Sequence, residues 1–393
     1  MANEINIRAL ILFLACFQGV LFAILFFFRS AKREILSDLL MGLFLIEGTL
    51  LILPYMLGFL GIQIMWDELL FFPMNPGLLI GPTIYFYLVT LTNTDFKFQR
   101  KDLLHLLPFA LYAIYHLSIY FQGKLFVQSW MAEVDLPYVA TPLSLLTLIS
   151  NYVYIYFTIK YYYQYKAWVE KEFSNPEDIN FSWYRNYLFL IVSGITMSWV
   201  FTALNDLGFQ LDYTQNWWEY FFIGIILYIL SISAYTRAQV IYLQFQPEEK
   251  IITESSKSSL ELAELNEWKA KISKLMQEEK AFLSPQLSLS QMAGQIGIPS
   301  PMLSQVINEG FGKNFNDFVN EFRVEEVKRL ISDPSKSHLS LLGIAYESGF
   351  NSKATFNRTF KKFAGMTPSA FLSSPDSKKP ENKRTFAPRL EVL

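Results

Sequence analysis

Seven stretches of the first 240 residues are apolar almost throughout, near 7–28, 38–60, 74–92, 103–121, 138–160, 183–205 and 217–240. A run that is apolar on every face offers no side to water, and each of these is long enough to set against the ~30 Å of hydrocarbon in a bilayer. The pattern predicts seven spanning helices. It then changes. Residues 244–259 are polar and serine-rich and predict a flexible linker. Leu265, Trp268, Ile272, Leu275 and Phe282 follow at spacings of 3, 4, 3 and 7, which predicts an amphipathic helix near 259–281 with a narrow apolar seam. That seam either packs on the domain that follows or forms a short dimerising coil.

From residue 284 the apolar positions fall into short helical repeats. Leu289 to Gly297 reads as a helix ending on a glycine turn, with Ala293 four residues before the glycine. Ser300 is placed to cap the next helix, with Pro301 at its first position and Leu303 and Ile307 on its core face. Leu341 to Gly349 repeats the design 52 residues later, with Ala345 four residues before Gly349. There Asn351 is placed as the cap, and Phe356 and Phe360 face inward. The small alanine permits close helix crossing, and the glycine permits a left-handed turn. Phe318, Phe322, Val327 and Leu330 predict a joining helix near 315–332, stopped by Asp333-Pro334.

Charge supports the membrane reading and orients it. Charged residues make up 17% of the chain, against about 25% in a soluble domain. In residues 1–243, eleven basic residues lie on one side of the seven spans and two, Arg8 and Lys124, on the other. The positive side is cytoplasmic, so the N-terminus is expected outside and the C-terminal domain inside. Tyr161, Tyr162, Tyr163, Tyr165 and Trp168 at one end, and Trp217 and Trp218 at the other, fit interfacial aromatic belts. Gly81-Pro82 is expected to kink the third span. The first apolar run lacks a preceding basic region and is too long for a cleaved signal peptide.

Little in the sequence suggests chemistry. Cys16 is the only cysteine, which excludes an internal disulfide or a thiolate metal cage. His105 and His116 lie eleven residues apart, about three helical turns, too far to share one ion. No HExxH, GxSxG or P-loop occurs, so no metal, cofactor or enzymatic activity is expected. Glu47 is the clearest ionisable group inside a span. A carboxylate there faces a cavity or a partner, which leaves ligand or proton sensing and structural pairing both open.

The second repeat resembles a known signature. Ile344-Ala345, Gly349-Phe350, Thr355-Phe356-Asn357-Arg358-Thr359-Phe360-Lys361-Lys362-Phe363 and Gly365-Met366-Thr367-Pro368-Ser369-Ala370-Phe371 are similar to the AraC-type transcription regulators, as is Phe322-Arg323-Val324-Glu325-Glu326-Val327-Lys328-Arg329-Leu330 in the joining helix. The likeness covers about 85 residues of the chain. More loosely, the whole chain resembles the membrane-anchored variety of such regulators. The resemblance implies two recognition helices in successive major grooves, about one DNA turn apart. It implies base-edge positions at Ser300, Met302, Ser304, Gln305 and Asn308 in the first reader. In the second they are Ser352, Lys353, Thr355 and Asn357, with Arg358, Lys361 and Lys362 on phosphate. Two departures stand out. The first reader has Val306, Ile307, Asn308 and Glu309 where members often carry a basic residue, and no arginine follows Phe371.

The expected fold is all-α: a seven-span bundle (1–243), a linker with an amphipathic helix (244–283), a tandem helix-turn-helix domain (284–372) and a disordered basic tail (373–393). Residues 284–372 hold nine basic and seven acidic residues, so non-specific DNA affinity is weak and a homodimer is expected. The expected partners are double-stranded DNA, the lipid bilayer of the bacterial inner membrane, and a small-molecule or membrane signal. The expected function is a membrane-bound transcription regulator. The rivals are a transporter or enzyme with an accessory DNA-binding domain, and a passive tether cut in the serine-rich linker.

Overall fold

A computed structural model of the protein describes residues 6–176, 179, 181–209, 211–237, 243, 245, 247 and 262–375. The expected linker lies outside the described residues except for Phe245 and Pro247, and so does the basic tail beyond Pro375. Among the described residues every regular element is helical. The chain forms two compact units. Unit 1 is Met1–Tyr163 with Ser182–Pro247, and unit 2 is Gln164–Phe181 with Glu248–Leu393.

Unit 1 contains α1 (Ile7–Arg33), α2 (Leu36–Phe59), the one-turn α3 (Ile64–Asp67) and α4 (Gly77–Thr92). A 3-10 stretch, Arg100–Leu106, leads into α5 (Leu107–Tyr120). Then come α6 (Lys124–Trp130), a π-helical stretch Met131–Val139, and α7 (Ala140–Glu172), whose last turns belong to unit 2. After them come α8 (Ser182–Leu204) and α9 (Tyr213–Arg237). Among the described residues, six helical segments are long and apolar enough to cross a membrane. The expected third span, α4, has only 16 residues, about 24 Å at 1.5 Å per residue, and falls short of the hydrocarbon thickness. Pro82 lies inside α4 and leaves the Leu78 carbonyl without its helical donor.

A second departure concerns the polar segment between the fourth and fifth spans. It continues the helix, so Lys124–Glu172 is one 49-residue segment. The polar segment's buried acidic residue is accommodated by hydrogen bonding. Asp135 is buried and accepts the Tyr115 hydroxyl at 3.0 Å, and Trp130 Nε1 donates to that same hydroxyl oxygen at 3.0 Å.

The helices of unit 1 pack where side chains are smallest. α1 runs along α2, α9 packs on both, α2 also meets α4, and α8 meets α9. A Cβ at Gly48 on α2 would stand 2.5 Å from Leu227 Cδ2 on α9, so glycine permits that close approach. Cys16 is buried on α1, as a small apolar side chain would be. One ion pair ties three helices. Arg29 on α1 grips Asp38 on α2 with two bonds of 2.5 and 2.8 Å, and gives a third of 3.0 Å to the Tyr235 carbonyl on α9. The guanidinium also lies over the Phe26 and Tyr235 rings, 4.8 and 4.5 Å from their centroids.

The aromatic residues near the fifth span do not form an open belt. Tyr161, Tyr162 and Tyr165 are buried, and Tyr163 is 60% exposed. The Tyr165 hydroxyl donates to the Ile179 carbonyl at 2.6 Å and its ring stacks on Phe181. Hydropathy places a tyrosine near an interface, but its hydroxyl is satisfied equally well by protein.

Unit 2 contains α10 (Leu262–Gln277), a 3-10 turn Ala281–Leu283, α11 (Leu289–Ile296), α12 (Ser300–Phe311), α13 (Phe315–Ile331), a 3-10 turn Pro334–Lys336, α14 (Leu341–Glu347), α15 (Lys353–Ala364) and α16 (Pro368–Leu372). It has two apolar cores. The seam of α10 is buried in the first, where Ile272, Leu275 and Met276 pack with Met292, Leu303, Ile307 and Phe318. The seam therefore packs on its own domain and offers no free face for a dimerising coil. α13 serves both cores, with Phe315, Phe318 and Phe322 in the first and Val324, Val327 and Leu330 in the second.

Arg323 on α13 is 0% exposed. Its Nε donates to the Phe282 carbonyl at 2.8 Å, Nη2 to the Ser284 carbonyl at 2.8 Å, and Nη1 to Asn320 Oδ1 at 3.2 Å. Burial pushes the guanidinium down to about 9, still above neutral pH, so it remains charged.

Two substitutions test these clamps. Arg29→Ala leaves Asp38 buried and unpaired and should cost about 3–5 kcal/mol, seen as a lower unfolding midpoint in detergent. The double variant Arg29→Met, Asp38→Leu should recover most of that loss. Arg323→Ala strands two carbonyls and should lower the stability of unit 2 by about 2–4 kcal/mol, read by circular dichroism on chemical denaturation. An unchanged midpoint in either single variant contradicts the assigned role.

Candidate nucleic-acid interface

Both helix-turn-helix units are built from local caps. Ser288 and Gln291 cap α11 reciprocally: the Ser288 hydroxyl accepts the Gln291 N–H at 3.1 Å, and the Gln291 side-chain oxygen accepts the Ser288 N–H at 3.2 Å. Gly297, at φ +83°, ends the helix. In the second unit the Ser340 hydroxyl accepts the Gly343 N–H at 3.1 Å, and the turn glycine, Gly349, has φ +90°. A Cβ at Gly349 would also stand 2.4 Å from the Phe282 carbonyl oxygen. The alanine at each crossing, Ala293 and Ala345, is buried. Both motifs thus have the turn geometry that their spacing predicts.

The first reader, α12, differs from expectation in three respects. Ser300 is its first helical residue and Pro299 holds the cap position without a side-chain bond. Met302 is half-buried against the first core instead of facing outward. Val306 and Ile307 are both fully buried, so their apolar character serves packing and does not replace surface charge. The apolar face of α12 is wider than the pair Leu303 and Ile307 suggested. Ser304 and Gln305 are half-buried, with Gln305 Nε2 donating to Glu309 Oε1 at 3.0 Å, and Asn308 is exposed.

The second reader, α15, is capped by Ser352, whose hydroxyl accepts the Thr355 N–H at 3.5 Å, and not by Asn351. This commits one base-edge candidate to the helix itself. Thr355 is 1% exposed. It lies beside Phe356 on the inward face, so it leaves the outward row. Lys353, Asn357 and Lys361 are exposed at intervals of four residues, with Arg358 exposed beside Asn357. They share one stripe of the helix. Phe356 and Phe360 are buried as expected, with Phe363 packed at the edge of the second core.

Charge elsewhere in the domain is largely internal. Lys328 pairs with Glu325 at 2.6 Å, Lys336 with Glu347 at 2.8 Å, and Lys313 with Glu321. Burial raises the Glu326 carboxyl, but hydrogen bonds from Arg329 and Lys280 outweigh it and hold the group below the usual carboxylate range. Lys362, a phosphate candidate, bonds Asp317 on α13 at 2.5 Å. Lys353 and Lys361 thus stand exposed on one face of α15.

One feature of unit 2 had no local signal. The end of α7 and the residues after it are buried in the domain: Glu172, Ser174 and Asn175 are 8%, 0% and 3% exposed. Glu172 Oε1 accepts the Ser290 N–H at 2.8 Å in the first turn of α11, where the helix dipole favours an anion. The Ser174 hydroxyl donates to the Leu287 carbonyl at 3.0 Å. Asn316 and Asn320 on α13 donate to the Ser174 carbonyl at 2.8 and 3.0 Å. Asn175 Nδ2 donates to the Pro285 and Gly349 carbonyls at 3.1 and 3.4 Å. The segment thereby touches both helix-turn-helix units and the helix that joins them.

The helix-turn-helix region is similar to known proteins. Residues 292–374 match the family model described as a helix-turn-helix domain. An uncharacterised HTH-type transcriptional regulator of Staphylococcus aureus (strain COL) is 35% identical over 85 residues, which cover 22% of this chain and 11% of the relative. The HTH-type transcriptional regulator GlxA of Rhizobium meliloti is 34% identical over 82 residues, covering 21% of this chain and 24% of the relative. A solved protein of unknown function from Listeria innocua shares 26% identity over 27% of this chain and 94% of that one, with a TM-score of 0.24. The family match and these relatives place a helix-turn-helix domain in the C-terminal part of the chain. Its relatives are HTH-type transcriptional regulators.

Replacing Lys353 by alanine should relax preference at one base pair by about 1–3 kcal/mol. Replacing Arg358 should weaken every sequence alike. Both are measured by titration against the selected site and its single-base variants. The opposite pattern overturns the division between base and phosphate contacts.

Proposed function

We propose that this protein is a membrane-bound, sequence-specific transcription regulator that passes the state of its helical bundle to its DNA-binding domain. The supporting observation is the path of α7. It begins among the apolar helices and ends at Glu172, and the hydrogen bonds of Glu172 and of Ser174 and Asn175 just after it reach α11, α13 and the turn at Gly349. A shift of α7 acts directly on the joining helix that sets the spacing of the two readers. The chain passes between the two units at three places, after Tyr163, Phe181 and Pro247. A passive tether requires one.

In this reading residues 1–243 lie in the bacterial inner membrane with the N-terminus outside, and residues 284–372 read double-stranded DNA in the cytoplasm. Two copies act together as a homodimer, because the modest charge of one domain gives weak phosphate affinity. Ser304, Gln305, Asn308, Lys353 and Asn357 face base edges, and Arg358 and Lys361 face phosphate. Glu47 has a structural role here: its Oε1 accepts the Thr83 hydroxyl at 2.7 Å, which joins α2 to α4.

The operator is first found by genome-wide mapping of DNA bound to the tagged full-length protein. A promoter reporter then compares the parent with Asn175→Ala and Asn316→Ala, neither of which lies on a recognition helix. Both should change regulated expression by severalfold at equal protein levels. Unaltered regulation in both would sink the proposed coupling.

A further inference from the structure

Between α2, α4, α7, α8 and α9 of unit 1 lie two adjoining cavities of about 240 and 400 Å³. They share Leu51, Asn75, Ser198, Thr202 and Ile223 in their walls, so they are compartments of one site. Taken together they fall within the range of small-molecule sites, about 300 to 1,000 Å³. The inner compartment is walled mainly by apolar side chains, among them Phe44, Ile80, Ile195 and Leu227. Its one orphaned group is Asn151 Oδ1, which is buried with no hydrogen-bond partner, while Asn151 Nδ2 donates to the Gly77 carbonyl.

The outer compartment differs in chemistry. Glu219 lines it, 8% exposed, and its carboxylate accepts the Ser198 hydroxyl. Tyr55 and Tyr220 line it beside Glu219, with their rings stacked 3.7 Å apart between centroids. No lysine or arginine is among the described residues lining either compartment. A buried carboxylate beside aromatic faces, without a basic partner, suits an organic cation.

We infer that this two-part cavity binds an amphipathic amine, its ammonium held by Glu219 beside the stacked Tyr55–Tyr220 pair and its apolar body in the inner compartment. Glu47, the intramembrane carboxylate that the sequence singles out, lines neither compartment. The walls include helices from both ends of unit 1, α7 among them. Occupancy therefore bears on the helix whose end lies in unit 2. That occupancy is the regulator's input rests on the function proposed above; the binding does not.

The test uses full-length protein in lipid nanodiscs with octylamine and phenethylamine as probes, and octanol and octanoate as controls. The amines should raise the unfolding midpoint and bind saturably, and the controls should not. Glu219→Gln should weaken amine binding about tenfold or more. Ile195→Trp, which fills the inner compartment, should weaken octylamine more than phenethylamine, and it serves if Glu219→Gln does not fold. Equal shifts from octylamine and octanol, binding unaffected by either variant, or no binding of either amine overturns the inference. Saturable amine binding that leaves reporter output unchanged would count against the proposed function alone. No binding, with regulation still lost in Asn316→Ala, counts against the cavity alone.

Discussion

Unit 2 is organised around one guanidinium. Arg323 lies in the middle of α13 with no exposed surface, bonded to the carbonyls of Phe282 and Ser284 and to Asn320. Removing a charge from water costs several kcal/mol, and only a full set of acceptors offsets that cost. The acceptors come from the turn before α11, so satisfying Arg323 fixes where the first helix-turn-helix sits on the joining helix. Gly349 packs against the same turn, with no room for a Cβ between itself and Phe282. One charge thus holds the first motif, the joining helix and the second turn in register.

The segment Glu172–Asn175 is built on that platform. Asn320, which bonds Arg323, also donates to the Ser174 carbonyl, and Asn175 reaches the Gly349 carbonyl. In the proposed function, the spacing between two readers is what the bundle biases. Hydrogen bonds from a neighbouring segment are suited to that: each contributes about a kcal/mol, enough to shift an equilibrium and too little to lock it.

Much of this architecture is legible in the chain. Seven apolar runs correspond to α1, α2, α4, α5, α7, α8 and α9, because a run that is apolar on every face offers no side to water. The two motifs were found from Ala293-Gly297 and Ala345-Gly349, because a close crossing followed by a left-handed turn admits few residues. The recognition stripe was read less well. Thr355 and Met302 are polar or flexible enough for a surface, and only the width of the packed face shows that they point inward. Lys362 is a cation in the sequence and half of an ion pair with Asp317 in the fold.

Periodicity and turn chemistry act within a few residues, so the sequence alone determined the helices, the two motifs and the division of the chain into an apolar and a polar part. Tertiary structure decided what depends on residues far apart. The apolar seam of α10 could have met a second chain, and it meets its own core. Glu172 and Ser174 look like part of an ordinary polar loop, yet they bond to residues more than a hundred positions away. Glu219 acquires its interest only where α2, the turn before α4 and α8 bring Tyr55, Asn75 and Ser198 to the same cavity. The physical reason is common to these cases: a polar side chain is at home in water or in a satisfied interior, and its neighbours in space decide which.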